Sequence, residues 1–246
     1  VVSRGHSHCR QKDLTGLPLP CVMEQLLKSN DYDRTALVRN EQDLSPKIAL
    51  QYFTQGDTVI YSSYARGFKS GGFNAISLTG DNLEYEPEKA QTVELGFKGK
   101  YFDRTLGINA TVYATKFQNL QVLAFNGVFF DVSNAATAVS HGVEADFLWL
   151  TPYSPLRLTG SFGLLKATYE EYLEAPAPIA QGIGALQDLA GKRIAFAPSG
   201  TATLTPMLTY QLGNVMTTFA GDVCYQGYQY TDTDLDPTTH VGVTTR

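Results

Sequence analysis

Leu106-Gly107-Ile108-Asn109-Ala110-Thr111-Val112-Tyr113-Ala114-Thr115 is the stretch that decides the fold. Leu106, Ile108, Ala110, Val112 and Ala114 share one parity, while Asn109, Thr111, Tyr113 and Thr115 share the other. A period of two belongs to an extended chain whose side chains leave alternate faces; a helix would spread both classes around its circumference. The alternation returns on both sides of this stretch. In 91–100, Val93, Leu95 and Phe97 oppose Thr92, Glu94 and Lys98; in 142–149, Val143, Ala145, Phe147 and Trp149 oppose Glu144 and Asp146. In 156–164, Leu156, Leu158, Phe162 and Leu164 oppose Arg157, Thr159 and Ser161, and 201–212 and 215–226 repeat the pattern. From about residue 48 onward the chain reads as strands with one greasy and one wet face, an all-β fold.

Alternation alone fits a soluble sandwich as well as a membrane barrel. The connections favour the barrel. Short links at Gln55-Gly56-Asp57, 101–105, 151–155 and Gly213-Asn214 alternate with long ones at 67–90, 125–135, 171–198 and beyond 228. That rhythm is the one of periplasmic turns and extracellular loops. Tyr61, Tyr101, Phe102, Trp149, Tyr153 and Tyr210 lie beside the short links, where an interfacial aromatic girdle is expected. The 14 Tyr, 13 Phe and 22 Gly suit strands and turns, and no apolar run approaches the ~18 residues of a membrane helix. The fold class expected is an antiparallel transmembrane β-barrel, represented in part.

Other function classes find little in the sequence. A net charge of −5 and scattered Lys and Arg give no nucleic-acid surface. Cys9, Cys21 and Cys224 are too few and too far apart for a disulfide scaffold. His6-Ser7-His8-Cys9 offers metal donors without a matching second pair, and Asp232, Asp234 and Asp236 imitate a Ca²⁺ loop but have Pro237 where glycine is needed. No metal site, cofactor or catalytic motif is expected, and the chain is not read as an enzyme. Residues 1–43, broken by Gly16-Leu17-Pro18-Leu19-Pro20, are expected to be irregular, with the barrel segment occupying 44–246.

Tyr61-Ser62-Ser63-Tyr64-Ala65-Arg66-Gly67-Phe68-Lys69-Ser70-Gly71-Gly72-Phe73-Asn74 resembles a block of the barrels of TonB-dependent outer-membrane receptors. Further blocks follow in the same order: Tyr85-Glu86-Pro87-Glu88, Glu94-Leu95-Gly96-Phe97-Lys98, Phe117-Gln118-Asn119-Leu120-Gln121-Val122, Asn134-Ala135-Ala136, Gly142-Val143-Glu144 and Ala197-Pro198. The likeness covers about 44–236. It implies a 22-stranded barrel around a plug domain, of which this chain supplies about eight strands, in the outer membrane of a Gram-negative bacterium. The implied function is uptake of a scarce nutrient, a ferric siderophore foremost, energised by the TonB-ExbB-ExbD complex through the plug. Neither a plug nor a TonB-contacting motif is found, so the chain is expected to be a piece that does not close or transport alone. A diffusive porin, a truncated non-transporting product and a soluble all-β lectin or enzyme are the competing readings.

On this reading Glu94, Lys98, Glu144, Asp146, Arg157 and Asp222 sit on wet rows that face the lumen and a plug. Arg66, Lys69 and Asn74, set among Gly67, Gly71 and Gly72, are the candidates for ligand contact, although those glycines equally suit plain loop shaping. Ile108, Val112 and Leu158 are expected to meet hydrocarbon, 67–90 and 171–198 to lie outside the cell, and Gln55-Gly56-Asp57 and Gly213-Asn214 to face the periplasm.

Overall fold

The computed structural model describes residues 38–74, 83–125, 130–182, 184–242 and 244–245. The metal-donor types at His6-Ser7-His8-Cys9 and most of the 1–43 stretch therefore lie outside the described residues. In chain order the strands are β1 (Lys47–Phe53), β2 (Thr58–Lys69), β3 (Gly72–Phe73), β4 (Glu84–Tyr85), β5 (Glu88–Tyr101), β6 (Leu106–Phe125), β7 (Phe130–Leu150) and β8 (Leu156–Glu171). They continue as β9 (Ala175–Pro176), β10 (Leu186–Gln187), β11 (Gly200–Leu212), β12 (Val215–Ala220), β13 (Val223–Gln226), β14 (Gln229–Tyr230), β15 (His240–Val241) and β16 (Thr244–Thr245). Among the described residues ten of these make one antiparallel sheet, ordered β1-β2-β5-β6-β7-β8-β11-β13-β16 with β12 also beside β11. It is an open wall whose end strands do not meet.

The short links are tight turns. Phe102, Asp103 and Arg104 take φ of 51°, 53° and 67° between β5 and β6, and Gly213 turns the β11–β12 corner at φ 62°, where the missing Cβ removes the steric cost. Arg104 grips Asp57 of the neighbouring turn through two bonds, Nε to Oδ2 at 2.7 Å and Nη2 to Oδ1 at 3.1 Å, so the guanidinium holds the Asp57 carboxyl below its ordinary range.

Cross-strand partners share a face, so the register tests the two-faced pattern directly. One lateral row runs Leu50, Ser62, Leu95, Val112, Val143, Leu164 and Gly200, and the next runs Tyr52, Ile60, Phe97, Ala110, Ala145, Phe162 and Ala202. Ile108 and Leu158 lie on this same apolar face. On β5, β6 and β8 it carries no charge over 93–101, 106–114 and 156–164, close to the ~9–11 residues with which a strand crosses a bilayer. Leu50, Leu95 and Leu164 are 71, 54 and 50% exposed. A contiguous apolar surface of this kind is stable only against another apolar phase.

Four features depart from the sequence pattern. The supposed long link at 125–135 is strand: β6 and β7 pair up to Phe125 and Phe130, leaving only 126–129 as the connection. Asn119, at φ 54°, shifts the phase of the alternation, so that Phe117 on one parity and Leu120 and Val122 on the other all join the same cluster. The stretch 215–226 is interrupted at Gly221 and Asp222, although β12 and β13 keep one common register with β11. The break lies beside Pro206, which has no N–H to give the ladder. Tyr61, expected in the girdle, instead shares the wet face; it lies across Gly96, and its hydroxyl meets Thr111 Oγ1 at 2.6 Å.

The buried core lies at the long-loop end. Phe117, Ala138 and Tyr169 are register partners on the wet side, and Tyr172, Ala175, Leu189, Ile194 and Ala195 of the 172–199 connection pack onto them with Tyr230 and Leu235. Tyr169 N donates to Lys192 O at 3.0 Å and Ile194 N to Ala167 O at 3.0 Å, so the connection also extends the backbone ladder. Burial raises the pKa of the Tyr172 phenol.

Candidate functional site

The wet face is a continuous field of hydroxyls, amides and charges. Glu94 Oε2 accepts from Ser63 Oγ at 3.0 Å, and Asp146 Oδ2 accepts from Asn109 Nδ2 at 2.7 Å. Thr92 and Thr115 pair at 2.9 Å, as do Ser161 and Thr203 at 2.7 Å. Lys98 places its ammonium 5.8 Å from the Tyr61 ring centroid. Arg157 aims Nη2 at the Met207 sulfur, 2.9 Å away, and Asp222 accepts from Thr205 Oγ1 at 2.5 Å. Glu144 lies opposite Thr111 and Gly163, in a recess of about 290 Å³ lined with Asn109, Asp146, Ser161 and Thr201. The register thus puts Glu94, Lys98, Glu144, Asp146 and Arg157 on one face, and Asp222 joins them through Thr205. Their partners are neutral hydroxyls, amides, a thioether and a ring, so the charges stay available to whatever covers the face.

The loop candidates separate into different roles. Asn74 is buried, and its amide closes a reciprocal pair with the β7 backbone: Nδ2 donates to Val132 O and Val132 N donates to Oδ1, each at 2.8 Å. Arg66 Nη2 is bonded to Asp43 Oδ2 at 3.0 Å, while Lys69 ends β2 exposed. A Cβ at Gly71 would stand 2.3 Å from Tyr85 O, and one at Gly72 would stand 2.5 Å from the Tyr85 hydroxyl, so these two glycines admit the β3–β4 ribbon.

Sequence reasoning missed the groups that hold this ribbon down. Asn134 Nδ2 donates to Glu86 O at 2.9 Å while Glu86 N donates to Asn134 Oδ1 at 2.8 Å, and Gln121 Nε2 donates to Ser70 O at 2.8 Å. Arg39 joins Glu41, Glu84 and Glu86, the last through Nη2 at 3.0 Å, and its hydrogen-bonded partner Glu41 raises its pKa. The only advance signal was the presence of Asn134 and Gln121 in two of the quoted blocks.

Among the described residues no three His, Cys, Asp or Glu side chains gather as metal ligands. Asp232, Asp234 and Asp236 spend carboxylate oxygens on the backbone N–H groups of Thr233, Asp236 and Thr238. The bonds from Thr238 hold the Asp236 pKa low.

A sequence family described as TonB dependent receptor-like, beta-barrel matches residues 27–245. The chain belongs to this family of TonB-dependent receptor barrels. It is 36% identical over 69 residues to a probable TonB-dependent siderophore receptor, PiuA, of Acinetobacter baumannii, a match covering 26% of this chain and 9% of that protein. Its fold is similar to the ferric yersiniabactin uptake receptor FyuA of Yersinia pestis, with a TM-score of 0.61 at 17% identity over 81% of this chain and 28% of that one. It is also similar to BauA, the ferric preacinetobactin receptor of Acinetobacter baumannii, with a TM-score of 0.56 at 18% identity over 82% and 28%. The chain spans less than a third of the length of these relatives, so the receptor wall described here is a sector of the family's barrel.

Proposed function

We propose that this chain is a wall sector of an outer-membrane receptor of a Gram-negative bacterium that takes up a scarce nutrient, a ferric siderophore, with energy from TonB-ExbB-ExbD. The observation that carries the reading is the two-faced register: a charge-free apolar face of bilayer height backs a face of charges and hydroxyls. Membership of the receptor family supplies the class, and the ferric-siderophore relatives supply the cargo. Glu94, Lys98, Glu144, Asp146, Arg157 and Asp222 face the lumen and contact a plug domain; Arg66 and Lys69 stand at the mouth, where cargo arrives. Asn74 shapes the mouth by locking the β3–β4 ribbon to β7. The 172–199 connection lies outside the cell and the turns at 54–57 and 213–214 in the periplasm.

The open ends of the sheet belong to the same reading. In hydrocarbon each unsatisfied backbone group costs several kcal/mol, so β1 and the β13–β16 edge require neighbouring strands. The test is uptake of radiolabelled ferric siderophore by cells carrying the whole receptor, with and without TonB. Uptake that needs TonB is expected. Passage of small solutes at equal rates in both strains would identify a diffusive pore instead.

A further inference from the structure

One face of the β14–β15 ribbon brings together two phenols and an imidazole. Tyr230 and His240 are register partners, and Tyr228 stands two residues before Tyr230, so all three side chains leave on the same side. The rings of Tyr228 and Tyr230 meet edge-on at 77° with centroids 5.3 Å apart, and their hydroxyls share a hydrogen bond. The His240 ring lies 5.5 Å from that of Tyr228. The backbone beneath them is fixed: Phe196 N donates to Tyr230 O at 2.8 Å, Ser199 N to Tyr228 O at 3.0 Å and Thr231 N to Thr239 O at 3.1 Å. His240 Nδ1 is bonded to Pro237 O. A carbonyl only accepts, so Nδ1 carries the proton and Nε2 keeps the lone pair. Such an outer contact is what fixes the tautomer of a metal-ligating histidine. Tyr228 and Tyr230 are half-buried and His240 is exposed, which leaves the cluster open to solvent.

We propose that Tyr228, Tyr230 and His240 form a metal site that coordinates a ferric ion directly, through two phenolate oxygens and the imidazole Nε2. The ion takes the place of the proton now shared between two oxygens within hydrogen-bond reach, and both phenolic protons pass to water on binding. The identity of the ion follows from those protons. The bond from Tyr230 pushes the Tyr228 phenol up to about 12, so a weak Lewis acid such as Ca²⁺ or Mg²⁺ leaves the pair protonated. Ferric iron, a hard ion of charge three, displaces them. Arg193 faces Tyr228 and favours its phenolate, while its Nη2 remains committed to Leu165 O and Ala197 O. Three protein donors leave further positions for water or for the oxygens of a weak chelator. An intact ferric siderophore already fills the coordination sphere of its iron, so this site differs from a cargo contact and stands whether or not the chain serves in uptake.

The test is titration of the whole receptor, free of affinity tags and held in detergent, with ferric nitrilotriacetate. The wild type should develop a visible phenolate-to-iron charge-transfer band that saturates at one equivalent. Y228F and Y230F should each lose most of it. H240Q should keep the band with an affinity lowered by more than about 10-fold, the least that disturbing even an outer-shell partner of a ligand costs. Y153F should leave it unchanged: Tyr153 and Tyr210 also meet hydroxyl to hydroxyl, at 3.0 Å, but at the turn end and without an imidazole partner in that contact. Amide exchange across 228–241 shows that each variant keeps the ribbon. No band in the wild type, or a band kept in Y228F, would overturn the site. Unchanged affinity in H240Q would overturn the third donor, and loss of the band in Y153F would overturn the location. None of these outcomes bears on uptake, which the comparison with and without TonB tests separately.

Discussion

The turn half and the loop half of the same strands are held together by different forces. In the turn half both faces are open among the described residues: Leu50, Leu95 and Phe162 stay exposed on one side, and Glu144 and Asp146 on the other. Order there comes from the backbone ladder, from hydroxyl pairs and from glycines that admit rings, as at Gly142 beneath Tyr113 and Gly160 beneath Phe147. In the loop half the 172–199 connection folds over the wet face and closes a core around Tyr169 and Tyr172, whose rings tilt at 54° with centroids 5.1 Å apart. One half is stable because of the phase that surrounds it, the other because of its own packing. Substitutions in the two halves should therefore fail in different ways.

The largest effect is expected in the core. Tyr169→Ala empties a site that is 1% exposed and should cost about 3 to 5 kcal/mol, the range for deleting a large buried aromatic side chain. Limited proteolysis should then cut 172–199 while the strands remain protected; loss of the strands as well would merge the halves into one cooperative unit. Next comes the apolar face, where Ile108→Arg should cost about 2 to 4 kcal/mol in a refolding titration of the whole barrel in lipid. Thr111→Arg, three residues along but on the wet face, should be far milder. Equal costs would mean that the faces are misassigned.

A smaller, local effect is expected at the ribbon. Asn74→Ala deletes both partners of the Val132 backbone and should cost about 1 to 3 kcal/mol, the penalty for leaving buried polar groups unpaired. Amide exchange should speed up around 70–74 and 83–87 and stay unchanged in the turn half. The smallest effect belongs to Asp57. Arg104 lowers its pKa in the fold, so its contribution is complete above the ordinary aspartate pKa and is lost as pH falls through the lowered value. Amide exchange at Lys100, whose N–H donates to Asp57 O at 3.0 Å, should accelerate over that acidic window, and Asp57→Asn should abolish the dependence.

The two halves were also unequally legible in the sequence. Period-two alternation exposed the strands and both faces of the turn half, because there every side chain obeys one constraint. The error at Tyr61 came from placing it by its nearness to a turn; its parity, opposite to that of Tyr64, is what puts it on the wet face. In the loop half, Leu189, Ile194, Ala195 and Leu235 form a core without periodicity, because irregular backbone carries them to it. Asn119 hides a phase change that depends on a left-handed φ, which no residue pattern encodes uniquely. Asn74 stands among glycines that suit a ligand loop, and its amide fits a guest and a neighbouring backbone equally well. Only the Val132 pairing shows which one it holds.

The central claim is that the two faces of the wall meet two different phases, and β6 tests it most directly. With Cys9, Cys21 and Cys224 replaced by serine, single spin labels are placed along 106–115 in the whole receptor in lipid vesicles, and collision rates with oxygen and with a water-soluble nickel complex are compared. Labels at Ile108, Ala110, Val112 and Ala114 should favour oxygen, and those at Asn109, Thr111, Tyr113 and Thr115 should favour nickel or be shielded from both. A profile without this two-residue period, or one with the parities exchanged, would contradict the account.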